Sequence, residues 1–377
     1  MVADVHLFEP LTVRDVTFAN RIAVAPMCQY SAVDGVAQDW HLQHYGSLVA
    51  SGPGLVVVEA TAVAPEGRIT PGCLGIYSDA AVAALAHLVA TIKRFGKARI
   101  ALQIGHAGRK ASARRPWEGG TALPVSEGGW ATIAPSALPF GPGWPVPAEV
   151  GAYDVDRLRH AFADAAIRAD GAGFDALEIH AAHGYLLHQF LSPVTNHRGD
   201  VYGGALDARM RFPLEVVRSV RRVWPAGKPL GMRISATDWL PDGFSPDEAV
   251  VFVAACKGEG VDYVCVSSGG ISGDVRIPVA PGYQVDLAAR IRHEAGILTR
   301  AVGLIADPGQ AEQVLATGQA DMVALGRAFL DDPRWVWRAA RVLGAVPAYP
   351  PQYVRVRPDL WPGARPGGAA AADRPSV

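Results

Sequence analysis

Residues 175–193 read DALEIHAAHGYLLHQFLSP. The segment DALEIH is apolar and of strand length, and it stops at His180, where AAHGY brings a glycine before the helix-like LLHQFL. A histidine at a strand end, with His183 and Tyr185 just beyond it, marks a catalytic address in a (β/α)8 barrel. There the groups at the carboxyl ends of parallel strands converge on one mouth.

Outward from this stretch the pattern repeats. Apolar, β-branched runs recur at RIAVAP (21–26), LVVVEATAV (55–63), RIALQIG (99–105), LGMRIS (230–235), DYVCVSS (262–268), TRAVGL (299–304) and DMVALG (321–326). Helix-like stretches such as SDAAVAALAHLVATIKRFG (78–96) and YDVDRLRHAFADAAIRADGAG (153–173) separate them, each closing near a glycine. Alternation of this kind predicts a parallel sheet covered by helices on its outer face, and eight units can close into a barrel. An open doubly wound sheet is the less regular alternative. The chain has 377 residues, longer than the ~250 of a typical barrel, so one barrel with insertions fits better than two domains. We expect a single domain over 1–361, with a Gly-, Pro- and Trp-rich connection at about 106–152 forming a cap over the mouth. PGARPGGAAAADRPSV (362–377) reads as a disordered tail.

Half the residues are apolar and the formal charge is −1, which gives no global electrostatic reason to seek nucleic acid. The N-terminus has no basic region followed by an apolar run, and no segment approaches membrane-spanning length, so neither secretion nor a membrane partner is expected. Cys28, Cys73, Cys256 and Cys265 are scattered with no C-x-x-C pair, which favours a reduced, cytoplasmic setting over a zinc or iron–sulfur site.

Chemistry concentrates at the predicted strand ends. PMCQYSA (26–32) puts Cys28 and Tyr30 two residues apart, on one side of an extended chain. A lone cysteine is most often a small buried hydrophobe, but here a thiol facing a cofactor ring would tune its redox potential. Arg233 and Gln103 point into the same mouth. Arg233 has a bland alternative in a salt bridge inside the barrel, and a functional one in facing the anionic edge of a flavin to which Gln103 hydrogen-bonds. SSGG (267–270), VGL (302–304) and LGR (325–327) supply small residues for a phosphate, with Gly303, Gly326 and Arg327 the candidates. No G-x-G-x-x-G follows an early strand, so a Rossmann-bound nicotinamide is not indicated. H-x-x-H as a metal site would need a third ligand, and His188 points from another face of the ensuing helix. As a clamp, His180 and His183 offer two N–H donors to one substrate oxygen, and Tyr185 offers a proton.

With these residues in place the chain resembles the old yellow enzyme family of flavin-dependent ene-reductases. The likeness runs through RIAVAPMCQYSA, W-H-x-x-H-Y (40–45) and LQIGHAGR (102–109). It is most specific in EIHAAHGYLLHQFLSPVTNHRGDVYGGALDARMRF (178–212), where H-x-x-H-G-Y and S-P-x-x-N-x-R-x-D-x-Y-G-G occur together. Cysteine and tyrosine in PMCQY, with PGYQV (281–285), resemble the bacterial xenobiotic-reductase and thermostable subgroup. The resemblance implies noncovalent FMN, reduced by NADPH and reoxidised by an enone or nitro compound in the same pocket. Ala25, Pro26, Met27, Cys28, Ala62, Gln103 and Arg233 would line the flavin, with Gly303, Gly326 and Arg327 toward its phosphate. His180, His183 and Tyr30 would bind substrate, and Tyr185 would be the proton donor. In QYVR (352–355) the resemblance implies that Arg355 reaches across the interface of a homodimer or dimer-based tetramer; its bland reading is a solvated tail charge. Two rivals remain: a 2,4-dienoyl-CoA reductase-like enzyme, disfavoured by the dispersed cysteines, and a non-catalytic flavin-binding module, which would not need both imidazoles and the phenol.

Overall fold

The computed structural model describes residues 5–364. Eight parallel strands close into a barrel: β1 (Ile22–Val24), β2 (Leu55–Ala62), β3 (Arg99–Gly105), β4 (Ala176–Ala181), β5 (Leu230–Ser235), β6 (Tyr263–Ser267), β7 (Leu298–Val302) and β8 (Met322–Leu325). Each pairs with its sequence neighbour, and β8 pairs with β1 to complete the ring. All eight apolar runs become these strands, two of them residue for residue and the others with ends shifted by up to two residues. β1 is the shortest because Pro26 cannot continue a ladder, although the Ala25 N–H still reaches the Leu325 carbonyl at 2.9 Å.

A major helix follows each strand: α1 (Asp39–Val49), α2 (Asp79–Ile92), α3 (Ala152–Gly171), α4 (Leu206–Val223), α5 (Pro246–Gly258), α6 (Val285–Glu294), α7 (Pro308–Ala316) and α8 (Trp335–Leu343). Their starts are written locally. The Ser78 hydroxyl caps α2, Ser245 and Glu248 form a reciprocal box on α5, and Asp307 before Pro308 caps α7. Outward-facing strand residues such as Val56, Val58, Ile100, Leu102 and Ile179 pack against the helices in the main core. The barrel interior holds a second, smaller-residue core of Ala23, Ala25, Ala101, Ala176 and Ala324 with Val57 and Met322.

One element was not anticipated from the sequence. Leu11–Val13 and Val16–Phe18 form a short antiparallel hairpin whose Val13 and fully buried Phe18 join the interior core beside Leu55, the first residue of β2. The hairpin therefore plugs the end of the barrel where the strands begin. Chemistry is left to the carboxyl ends.

The long connection after β3 folds as three single 3-10 turns, at Gly108–Lys110, Pro116–Glu118 and Val125–Glu127, and a two-residue strand pair, Ile133–Ala134 with Ala148–Glu149. Arg109 anchors it by donating to the Leu138 and Pro139 carbonyls at 3.3 and 3.0 Å. After α8, residues Pro351–Val356 form a 3-10 segment on the outer layer, where Tyr353 packs on Trp337 and under the Arg334 guanidinium. Most of the expected tail lies outside the described residues; Pro362–Ala364 make a final 3-10 turn.

Candidate active site

His180 lies on β4 in register with Arg233 on β5, two residues beyond Glu178 on the same inward face. Its imidazole Nδ1 accepts the Ala182 N–H at 3.2 Å, which leaves the proton on Nε2. That Nε2 stands 3.4 Å from Nδ1 of His183, and the two rings meet edge to face with centroids 5.1 Å apart. His183 Nε2 lies 2.8 Å from the Ser267 hydroxyl, which in turn reaches Gln284 Oε1 at 3.4 Å. Two ring nitrogens thus converge on one point. Burial, reinforced by the Arg233 charge, holds both imidazoles well below their ordinary pKa, so they are neutral. The Tyr185 ring packs edge-on against His180 at 4.9 Å, and burial pushes its phenol well above the usual value.

The backbone of this turn is strained and fully tied. His183 has φ +57° and Gly184 +73°, left-handed values that for a histidine cost on the order of 1–3 kcal/mol. The His183 N–H donates to the Ser235 hydroxyl at 2.9 Å, the Gly184 N–H to His188 Nδ1 at 2.8 Å, and the Gly184 carbonyl accepts from Gln189 Nε2 at 2.7 Å. The third histidine of the segment is thereby explained. Its Nε2 lies 2.8 Å from Asp238 Oδ1, both residues are fully buried, and Asp238 also accepts from the Ser192 hydroxyl at 2.6 Å and the Phe244 N–H at 2.7 Å. His188 braces the turn rather than lining the mouth.

Among the described residues Arg233 has no carboxylate partner, and its buried Nε has no acceptor at all. The salt bridge inside the barrel belongs instead to Arg300 and Glu178, both fully buried, with Gln103 Nε2 donating to the other Glu178 oxygen at 2.8 Å. An unpaired buried guanidinium calls for an anionic or carbonyl-rich ligand. The adjoining segment Pro26–Tyr30 is half-buried, and a Cβ placed on Gly326 would come 3.4 Å from Met27 Sδ without clashing, so Met27 and Gly326 flank the same opening. Ala25 and Ala62 are buried at the ends of their strands. Gly303 has φ +125°, and a Cβ there would meet Gln284 Nε2 at 2.7 Å, which restricts the position to glycine; Arg327 is exposed beside it at the β8 end. The unpaired guanidinium and the small residues at these strand ends suit a flavin with its phosphate ester.

Cys28 and Tyr30 each have partners that the sequence did not disclose. The neighbouring Cys73 sulfur and burial raise the Cys28 thiol well above the ordinary pKa, which keeps it protonated. Behind it Glu59 is fully buried, accepting the Gln29 N–H at 2.9 Å and the Tyr45 hydroxyl at 3.1 Å, and burial pushes its carboxyl up to about 8. Tyr30 sits at φ +52°, its carbonyl takes Arg115 Nε at 3.1 Å, and its ring meets Trp117 edge to face at 5.8 Å. Arg355, by contrast, is exposed on the outer 3-10 segment.

The chain that builds this barrel and mouth matches the NADH:flavin oxidoreductase / NADH oxidase family over residues 6–344. The chain belongs to that family, and it is an FMN-dependent oxidoreductase of the old yellow enzyme kind. It is 46% identical over 351 residues to an NADPH dehydrogenase of Geobacillus thermodenitrificans, covering 93% of this chain and 98% of the relative. It is 44% identical over 356 residues to the NADH:flavin oxidoreductase FG08077 of Gibberella zeae, covering 90% and 86%. Among solved structures, morphinone reductase superposes with a TM-score of 0.76 at 28% identity, covering 93% of both chains.

Proposed function

We propose that this protein is an NADPH-dependent ene-reductase that reduces activated C=C bonds of α,β-unsaturated carbonyl or nitro compounds by a ping-pong hydride transfer. The observation that carries the proposal is the convergence of two neutral imidazoles, ring nitrogens 3.4 Å apart, with the Tyr185 ring against one of them. FMN, when bound, supplies the two-electron chemistry, taking a hydride from NADPH and giving one to the activated carbon. His180 Nε2 and His183 Nδ1 hold the substrate oxygen and stabilise the negative charge that builds on it. Because both rings are uncharged, they donate without taking a proton away from the reaction. Tyr185, held protonated by its raised pKa, delivers a proton to the other alkene carbon. Tyr30 borders the substrate. Cys28, protonated and without nucleophilic character, tunes the ring potential. Gly303, Gly326 and Arg327 hold the phosphate.

The purified protein is expected to be yellow, to bleach with NADPH under anaerobic conditions, and to recover its colour with 2-cyclohexenone. Bleaching without recovery on any enone, maleimide, nitro-ester or nitroaromatic would reject the ene-reductase assignment. In Tyr185→Phe, recovery should slow while bleaching by NADPH stays nearly intact, since only alkene reduction needs the phenolic proton; stopped flow separates the two steps. Equal losses in both would make Tyr185 a positioning group.

The same proposal includes a homodimer, or a tetramer built from dimers, in which Arg355 completes the neighbouring site. Its exposure and its place on a short extension after the last helix support that role. Mixing Arg355→Ala with His180→Ala subunits should restore activity through hybrid dimers, and a monomer by sedimentation would defeat the shared site. All four thiols are free, and no helix among the described residues is long and apolar enough to cross a membrane; both support a cytoplasmic assignment.

A further inference from the structure

Where the loop after β4 meets the loop after β6, the two backbones touch with nothing between them. A Cβ on Gly184 would fall 2.1 Å from the Gly270 carbonyl oxygen, and one on Gly270 would fall 2.6 Å from His183 Cα. Both sides are left-handed at the seam: His183 at φ +57° and Gly184 at +73°, Gly269 at +69° and Gly270 at +91°. Ser235 pins one end, accepting the His183 N–H at 2.9 Å and donating to the Gly269 carbonyl at 2.8 Å. Lys110 pins the other. Its ammonium donates to the His183 carbonyl at 2.8 Å and to the Gly270 carbonyl at 2.9 Å, one bond to each loop. The same nitrogen stands 5.2 Å from the Tyr185 ring centre and 4.7 Å from that of Phe140 in the long connection. Its neighbour Arg109 extends the attachment, donating to the Ile271 carbonyl at 2.8 Å.

These contacts give Lys110 more than a packing role. Charge-assisted bonds to carbonyls are roughly twice as strong as neutral ones, and here they act on the residue whose strained backbone aims an imidazole. A cation near the ring face also favours the negative form of a phenol. We propose that Lys110 is a positioning residue for the reaction: by bridging the two loops it fixes the direction of the His183 imidazole, and by its charge it strengthens Tyr185 as an acid. The oxygen-binding group and the proton donor are then set by one side chain that touches no substrate. This inference rests on the ene-reductase reading for its kinetic consequence, though not for its structural one.

The test compares wild type with Lys110→Met and Lys110→Gln as purified holoproteins. In Lys110→Met, reoxidation of the reduced flavin by 2-cyclohexenone should fall on the order of 100-fold, the cost of a small misplacement of an oriented group. Reoxidation by dioxygen, which uses neither an imidazole N–H nor a phenol, should be unchanged, and FMN content should be intact. Lys110→Gln, which restores a donor without the charge, should lie between, and it carries the test if the methionine variant does not fold. Hydrogen exchange followed by mass spectrometry should show faster exchange on both sides of the seam, at peptides containing His183–Tyr185 and Gly270–Ile271. Unchanged enone reoxidation, or equal losses with enone and dioxygen, would overturn the proposal, and so would unchanged exchange at the seam. Should the wild type itself reduce no enone, the functional assignment fails and the exchange result alone decides the role of Lys110.

Discussion

Replacing His183 by alanine is expected to slow enone reduction by roughly 100-fold, about 3 kcal/mol of transition-state stabilisation, which is what one preorganised oxyanion donor typically supplies. The loss falls on the oxidative half-reaction, because the charge on the substrate oxygen develops only as hydride arrives. FMN content should survive, since the proposed flavin contacts, Arg233 and the strand ends, are untouched. His180→Ala should cost at least as much, as it also removes the ring against which Tyr185 packs at 4.9 Å. The pH dependence carries a sign. Both imidazoles are held well below the ordinary 6.5, so neither adds an inflection to the rate as pH falls through that value. Their effect on stability lies in the same region: below 6.5 the unfolded chain takes up protons that the folded imidazoles refuse, and the fold weakens as pH falls. Unchanged enone turnover and phenol binding in both variants would remove these histidines from the site.

The second large effect concerns the fold beneath the site. Glu178→Ala should destabilise the protein by about 3–5 kcal/mol, because it strands a charged Arg300 inside the barrel. Arg300 and Glu178 are both fully buried and bonded to each other, and the Arg300 Nε and Nη1 have no other partner. Gln103 would lose its acceptor at the same stroke. Removing both charges with Glu178→Leu and Arg300→Met should recover most of the loss, since a buried pair replaced by apolar groups of similar volume is often neutral. Urea unfolding reads the difference. A single-variant loss below about 1 kcal/mol would mean that water reaches the pair, because only exposed ion pairs are worth so little.

Much of this architecture was legible in the sequence, and the boundary of legibility has a physical origin. β-Branched runs bounded by glycine and proline announce strands locally, so all eight barrel strands could be read, as could the placement of His180, His183 and Tyr185 at the end of β4. The plugging hairpin escaped because its two strands are three residues each, too short to show a period. What a buried charge pairs with is not local information. Arg233 and Arg300 look alike in the sequence, yet one meets Glu178 from 122 residues away and the other meets no carboxylate. Lys110, Cys73, Glu59 and Asp238 were passed over for the same reason, each acting through a partner brought close by barrel closure. For two of them a signal existed: Lys110 and Asp238 lie five and three residues beyond the ends of strands whose carboxyl ends carry the chemistry, and polar residues there merit inspection in any barrel.

The edge-to-face contact between Tyr30 and Trp117 implies a division of labour that selection or engineering can exploit. Trp117 is 66% exposed and belongs to a long connection that supplies none of the converging N–H donors, yet it sets one wall against which Tyr30 rests. Phe140, against the Lys110 ammonium, occupies a comparable post on the other arm of that connection. If Tyr30 borders the substrate as proposed, variation at Trp117 would reshape that border while the imidazoles, the phenol and the unpaired arginine keep their places on the barrel, whereas variation at Phe140 would act on the Lys110 bridge. On the proposed function, a lineage carrying this scaffold could therefore change which acceptors it admits through substitutions around Trp117, with the reacting groups inherited unaltered.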